Sequence, residues 1–102
     1  MEDILPLADG RAVHPRAIWQ VFKEDGDVLQ YQLTQHHLEC FALRLVTLDE
    51  PAFQRVRARA LPQLERLLGP HASIEVTRGT ELDRRQGGKF RVVASMCARP
   101  NL

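Results

Sequence analysis

The sequence has few aromatic residues and almost no net charge. Aromatic side chains make up 6% of its 102 residues, and 14 Lys and Arg against 13 Asp and Glu leave a formal net charge of +1. Nucleic-acid-binding domains carry basic surfaces, and RNA-binding sheets stack bases on aromatic side chains. We therefore expect no nucleic-acid partner.

The sequence also lacks a long apolar run and a basic leader. A membrane-spanning helix needs about 20 apolar residues, and no stretch approaches that length. Glu2 and Asp3 stand where a secretory signal would carry positive charge. We therefore expect a cytoplasmic protein with no membrane partner.

The sequence contains two cysteines, Cys40 and Cys97, which lie far apart in the sequence. Their separation matches no metal-binding spacing. The adjacent His36 and His37 would point to opposite faces of a strand, so we expect them in a polar turn. The sequence predicts no metal site and two free thiols, with a single disulfide left open as the alternative.

The length and the hydrophobic content of 44% fit one small domain spanning residues 1–102, with no linker and no room for a large self-sufficient enzyme. Asp9-Gly10 is a favoured pair for a hairpin turn. After Pro15, apolar residues recur at helical spacing up to Phe22, which predicts a first helix. We expect Gly26 to end that helix in a left-handed conformation.

Alternating apolar and polar residues then predict strands at 28–34 and 41–45, a third at 74–77 and a last short one at 89–93. Asp49 begins a second helix between them, interrupted by Pro62 and stopped at Gly69. The expected fold is α+β: an N-terminal β-hairpin followed by α-β-β-α-β. Two helices would cover one face of a small, mainly antiparallel three-stranded sheet.

The stretch 83–91 is the most informative part of the sequence. Gly87 and Gly88 let the backbone approach a ligand, and Lys89 follows them among basic neighbours. Such a segment suits an anion, although a glycine-rich hairpin with solvated basic residues is the alternative. The spacing is not that of a Walker loop, because no Ser or Thr follows the lysine.

Two segments resemble the adenylate-forming enzymes. Leu82-Asp83-Arg84-Arg85-Gln86-Gly87-Gly88-Lys89 resembles their closing motif, L-P-R-T-x-x-G-K, and Gly88-Lys89-Phe90-Arg91 is similar to the phenylacetate-CoA ligase branch. Glu2-Asp3-Ile4-Leu5, followed by Asp9-Gly10-Arg11 and Val13-His14-Pro15, resembles the segment after their interdomain hinge. The two matches bracket nearly the whole chain in the family's order.

The resemblance implies the mobile C-terminal domain of an ATP-dependent carboxylate-CoA ligase. This domain would be incomplete, and inactive alone, without a large N-terminal adenylation domain in cis or in trans. The large domain would bind most of the ATP and coenzyme A, and any Mg²⁺ would have no ligand in this chain. The alternative is a free-standing module that binds another protein or forms a homodimer without catalysis.

The resemblance also implies roles for individual residues. Lys89 would be the catalytic lysine for acyl-adenylate formation, in a loop supported by Arg84, Gly87 and Gly88. Glu2 and Asp3 would be hinge-like, and Gly10 would lie in the hairpin that faces coenzyme A during thioester formation. Asp83 and Arg85 depart from the proline and the Thr or Ser of the motif, which affects how the loop is held.

Arginines on the second helix form a further candidate site. Arg55, Arg59 and Arg66 recur on one helical face and could meet phosphates. An ordinary solvated face is the competing interpretation.

Overall fold

The computed structural model describes residues 3–79 and 91–97, and it confirms the α+β class and the predicted order of elements. A two-stranded hairpin precedes two helices and a four-stranded sheet. The elements are β1 (Leu5–Pro6), β2 (Ala12–Val13), α1 (Pro15–Phe22), β3 (Gln30–His37), β4 (Cys40–Val46), α2 (Glu50–Leu68), β5 (Ser73–Gly79) and β6 (Arg91–Ser95).

The sheet differs in detail from the mainly antiparallel three-stranded one that we expected. Its strand order is β5-β4-β3-β6. β3 and β4 are antiparallel, whereas β5 is parallel to β4 and β6 is parallel to β3. The helical crossover through α2 returns the chain to the end of the sheet where β4 begins, so β5 must run parallel to β4. The result is a mixed sheet of four strands.

Both helices and one face of the sheet form a single core. The strands alternate as the sequence predicts, with inward side chains buried and the intervening ones half-exposed. The hairpin adds its own apolar side chains to the same core. Fully buried members are Leu5, Ile18, Leu33, Leu45, Val56, Leu64 and Val93.

The ends of α1 follow from short-range polar contacts. The Nδ1 atom of His14 accepts a hydrogen bond from the backbone N–H of Arg16, 3.2 Å away. At the other end, the N–H of Asp25 donates to the carbonyl of Phe22. The prediction of a left-handed Gly26 is wrong, since the Asp25 carboxylate accepts from the N–H of Asp27 and turns the chain without a positive φ.

The second helix begins and ends where the sequence indicates. The Asp49 carboxylate accepts from the N–H of Ala52 at 2.9 Å, which satisfies one of the free donors of the first turn. The helix continues through Pro62 without being divided. It ends at Gly69, whose φ of 105° is a conformation that side chains disfavour.

Candidate functional site

The predicted site residues divide between the described part of the chain and the rest. Lys89 and Glu2 lie outside the described residues, as do the three residues predicted to support the lysine loop: Arg84, Gly87 and Gly88. Their roles stay predictions. Asp3 and Gly10 are described, together with both residues that flank the segment 80–90.

Those two flanking residues lie at the same end of the sheet. Gly79, the last residue of β5, pairs with Val46, which pairs with Gln30 at the start of β3. Arg91, the first residue of β6, pairs with Tyr31. Gly79 and Arg91, between which the predicted catalytic lysine lies in the sequence, are therefore on the two outer strands, three strand spacings or about 14 Å apart.

An arginine that the sequence analysis did not single out lies at this end. A Cβ atom placed on Gly79 would be 2.5 Å from Cζ of Arg44, so the guanidinium group lies directly over that glycine. The neighbouring Arg78 donates to the Thr47 hydroxyl at 3.3 Å and lies 3.7 Å from the carboxylate of Glu50. Two cationic side chains, those of Arg44 and Arg78, thus lie close to the end of β5.

The hairpin tip around Gly10 is held by local contacts. Gly10 has a φ of 91°, and the Leu7 N–H donates to the carbonyl of Arg11 at 2.8 Å. The Asp9 carboxylate accepts from the backbone N–H and the Nε–H of Arg11, which lowers the pKa of Asp9. A Cβ at Gly10 would meet no atom within 4 Å, so open space surrounds the tip.

The start of the described chain is bound to β6. The N–H of Asp3 donates to the carbonyl of Val93 at 2.8 Å, and its carboxylate accepts from the N–H of Ser95 at 3.0 Å. Beside Ser95, the side chain of Gln35 donates to the carbonyl of Pro6 in the hairpin. The hairpin therefore joins the sheet at the end opposite Gly79 and Arg91.

Gln35 was missed as a functional candidate, although the sequence holds its signal. It follows Tyr31 and Leu33 at every second position, and this spacing places all three on the core face of β3. The structure buries Gln35 completely. A polar residue at a position where the alternation calls for an apolar one is expected to be buried and hydrogen-bonded, and this signal would have identified Gln35.

The arginine face of α2 is partly occupied by acids. Arg55 and Arg59 bind Asp25 and Asp27 in the loop after α1. This finding disfavours phosphate binding by those two guanidinium groups. Arg66 forms no ion pair with any residue in the described ranges and lines a shallow groove between α1 and α2.

The grooves between the helices do not fit a nucleotide. One is lined by Glu24, Asp25 and Asp27 together with Arg59, whose guanidinium group binds both aspartates. Both grooves are shallow and open to solvent. A groove this open would leave most of a nucleotide exposed to solvent, so neither is a candidate ATP site.

Further features of the described residues concern metal binding, thiols and membrane spans. Within residues 3–79 and 91–97, no three His, Cys, Asp or Glu side chains are grouped as a metal site would require. His36 and His37 are exposed at the end of β3, just before the turn that we had placed on them. Cys40 and Cys97 are free thiols. Neither described helix has the length and apolar character needed to cross a bilayer.

Comparison with known proteins found a similarity of fold. No protein-family model matches the sequence, and a search of curated proteins found no match. The fold is similar to that of a solved 2-hydroxyisobutyryl-CoA ligase, an open conformation in complex with 2-HIB-AMP and CoA. The TM-score is 0.63 at 15% sequence identity, and the match covers 89% of this chain and 21% of the ligase chain.

The fold of this chain therefore resembles the C-terminal domain of an acyl-CoA ligase. The chain spans about a fifth of that enzyme's length. An identity of 15% makes the similarity one of fold, so the activity of the larger enzyme is not transferred by it.

Proposed function

We propose that this chain is the C-terminal lid domain of an ATP-dependent carboxylate-CoA ligase of the phenylacetate-CoA ligase branch. It supplies Lys89 for acyl-adenylate formation and the hairpin around Gly10 for thioester formation. A large adenylation domain, joined in cis or bound in trans, completes the cytoplasmic enzyme. The observation that carries the proposal is the fold similarity to one fifth of a CoA ligase.

The positions of the flanking residues support this assignment. Gly79 and Arg91, the described residues on either side of the segment with the Gly88-Lys89 motif, lie at one end of the sheet, and the hairpin joins the other end. A lid that serves two half-reactions needs two separate surfaces. With the hairpin at one end of the sheet and the residues that flank the lysine segment at the other, a rotation of the domain would exchange one surface for the other.

A lysine suits the first half-reaction for electrostatic reasons. The adenylate forms when a carboxylate oxygen attacks the α-phosphorus of ATP and pyrophosphate leaves, and negative charge collects between the two anionic groups. A compact ammonium group there offsets the repulsion and stabilises the transition state. Arg44 over Gly79 adds positive charge near the base of the segment.

The large domain supplies the binding sites for ATP and coenzyme A. The grooves between α1 and α2 are too open to enclose a nucleotide, which supports this division of roles. Mg²⁺ would then be bound by the nucleotide and the large domain. The acid substrate is likewise selected outside this chain.

Reconstitution tests the proposal. An adenylation domain encoded upstream in the same reading frame, or one that copurifies with the chain, is combined with it and supplied with ATP and candidate carboxylic acids. We expect pyrophosphate release with both parts together and little with either alone. Equal release by the large domain with and without this chain would contradict the proposal.

One observation favours the alternative of a dimerisation module. β5 is an edge strand, and no other described strand pairs with its outer side. The edge of β6 differs, because Asp3 binds along it. Light scattering after size-exclusion chromatography separates the two functions, since the lid domain is expected to be a monomer in isolation, and a stable dimer would favour the module.

A further inference from the structure

Gln35 is a fully buried amide on the core face of β3. Its Nε2 atom donates to the carbonyl of Pro6 at 2.6 Å and lies 3.4 Å from the carbonyl of Leu38. Its Oε1 atom accepts from the hydroxyl of Ser95 at 2.7 Å. Both ends of the amide are therefore satisfied, as burial of a polar group requires.

These hydrogen bonds connect parts of the chain that are far apart in sequence. Pro6 belongs to the hairpin, Leu38 to the turn between β3 and β4, and Ser95 to the end of β6. Ser95 in turn donates its N–H to the carboxylate of Asp3. One side chain thus joins the hairpin to the sheet and to the strand along which the N-terminal segment is bound.

We propose that Gln35 is a positioning residue that fixes the orientation of the hairpin on the sheet. The inference rests on the proposed function for its catalytic consequence: thioester formation, which uses the hairpin, depends on Gln35, and adenylate formation does not. Gln35 pairs with Ser95 on the neighbouring strand β6, and Ser95 lies four residues after Arg91 along that strand. That distance, about 13 Å, separates Gln35 from the end of the sheet where β6 begins at Arg91.

The chemistry of the contact explains why an amide is present. The apolar side chains of Leu5, Leu7 and Val13 attach the hairpin to the core, but apolar contact is not directional. A hydrogen bond to the Pro6 carbonyl has a preferred angle and so fixes the orientation of β1. Misplacement of a reacting group by about 1 Å can slow a reaction by about a hundredfold.

The variant Gln35→Met tests this in the isolated chain. Methionine has a similar shape but cannot donate to Pro6, and Gln32→Met makes the same change on a half-exposed position of the same strand. We expect the ¹⁵N order parameters of residues 5–13 to fall well below the rigid value of about 0.85 in Gln35→Met, while those of 41–45 stay unchanged. Gln32→Met should resemble the parent protein.

Rigid hairpin amides in a folded Gln35→Met protein would overturn the proposal. Should that variant fail to fold, Gln35→Asn keeps the amide but shortens the side chain by one methylene, which draws the donor away from the Pro6 carbonyl and is expected to loosen the same amides. Unchanged order in a folded Gln35→Asn protein would then overturn the proposal.

The reconstituted ligase gives the second readout. We expect Gln35→Met to slow thioester formation from acyl-adenylate at least tenfold and to leave pyrophosphate release within about twofold, a split that a general loss of stability would not produce. Equal slowing of both steps would overturn the positioning role. Absence of both steps with the unsubstituted chain would instead contradict the proposed function, and the relaxation data would still decide whether Gln35 positions the hairpin.

Discussion

Arg59 binds Asp25 across the junction between the second helix and the loop after the first, with 2.6 Å between Nη2 and Oδ1. The same Nη2 lies 2.8 Å from Oδ2 of Asp27, and Arg55 approaches the other oxygen of Asp27 at 3.1 Å. The hydrogen bond to Asp25 is the main reason that the pKa of Arg59 is raised. Four charged residues therefore join α2 to the loop that connects α1 to β3.

Arg59→Ala is expected to lower the melting temperature by a few degrees, because it removes two ion-pair contacts from a largely solvated site. Arg57→Ala is the matched control, since Arg57 is exposed on the same helix and forms no ion pair within the described residues. Thermal unfolding at low and high salt measures the effect. The difference should shrink at 1 M salt, and a difference that salt leaves unchanged would contradict an electrostatic origin.

The same cluster predicts a pH dependence. Hydrogen bonds from Arg55 and then Arg59 lower the pKa of Asp27 from 3.8 to about 2. A depressed folded-state pKa contributes stability that is complete above about pH 4 and is lost as the pH falls from about 4 to about 2. Asp27→Asn should remove this step from the curve of stability against pH, measured by urea unfolding.

Glu24→Gln is the control for that experiment, because it removes a neighbouring exposed carboxyl that has no ion-pair partner in the described ranges. It should leave the acid step in place. Loss of the step in Glu24→Gln, or its persistence in Asp27→Asn, would show that another carboxyl is responsible.

Two glycines offer a test of backbone conformation. A Cβ at Gly69 or at Gly26 would meet no atom within 4 Å, but Gly69 alone of the two has a positive φ. Gly69→Ala should therefore cost about 1–3 kcal/mol in the free energy of unfolding. Gly26→Ala should be neutral or stabilise by up to about 1 kcal/mol. Denaturant unfolding compares them, and equal effects would argue against strain at the C-cap.

Two leucines test the position of the core. Leu64 on α2 is completely buried, whereas Leu48 is 81% exposed just before that helix. Leu64→Ala should destabilise the fold by about 2–5 kcal/mol through lost burial and a cavity. Leu48→Ala should change stability by less than about 0.5 kcal/mol. Chemical denaturation gives both values, and a large effect at Leu48 would place it in an interface or a different core.

Local signals were sufficient for most of the elements. The alternation around Leu33 and Leu43, the cap at Asp49 and the stop at Gly69 depend on neighbouring residues, and the structure has all of them. Pairing between distant strands is a different problem. Nothing local to Ile74 or Val93 indicates that one strand lies beside β4 and the other beside β3, both in parallel.

Some features of the candidate site that the sequence did not reveal likewise depend on contacts between distant residues. Asp25 and Arg59 are 34 residues apart, so their contact depends on how the two helices pack. The left-handed conformation expected at Gly26 is absent because a side-chain contact from Asp25 turns the chain instead. The catalytic role of Lys89 is inferred from its sequence motif alone, because the residue lies outside the described part of the chain. That role is therefore still a prediction.

The rate of pyrophosphate release by the reconstituted enzyme, measured with Lys89→Ala, tests the central claim most directly. Lys23→Ala is the matched control, because Lys23 is the other lysine of the sequence and its ammonium group lies over the ring of Trp19 on α1. We predict a loss of at least a hundredfold for Lys89→Ala and little change for Lys23→Ala. Equal rates for Lys89→Ala and the unsubstituted chain would contradict the account.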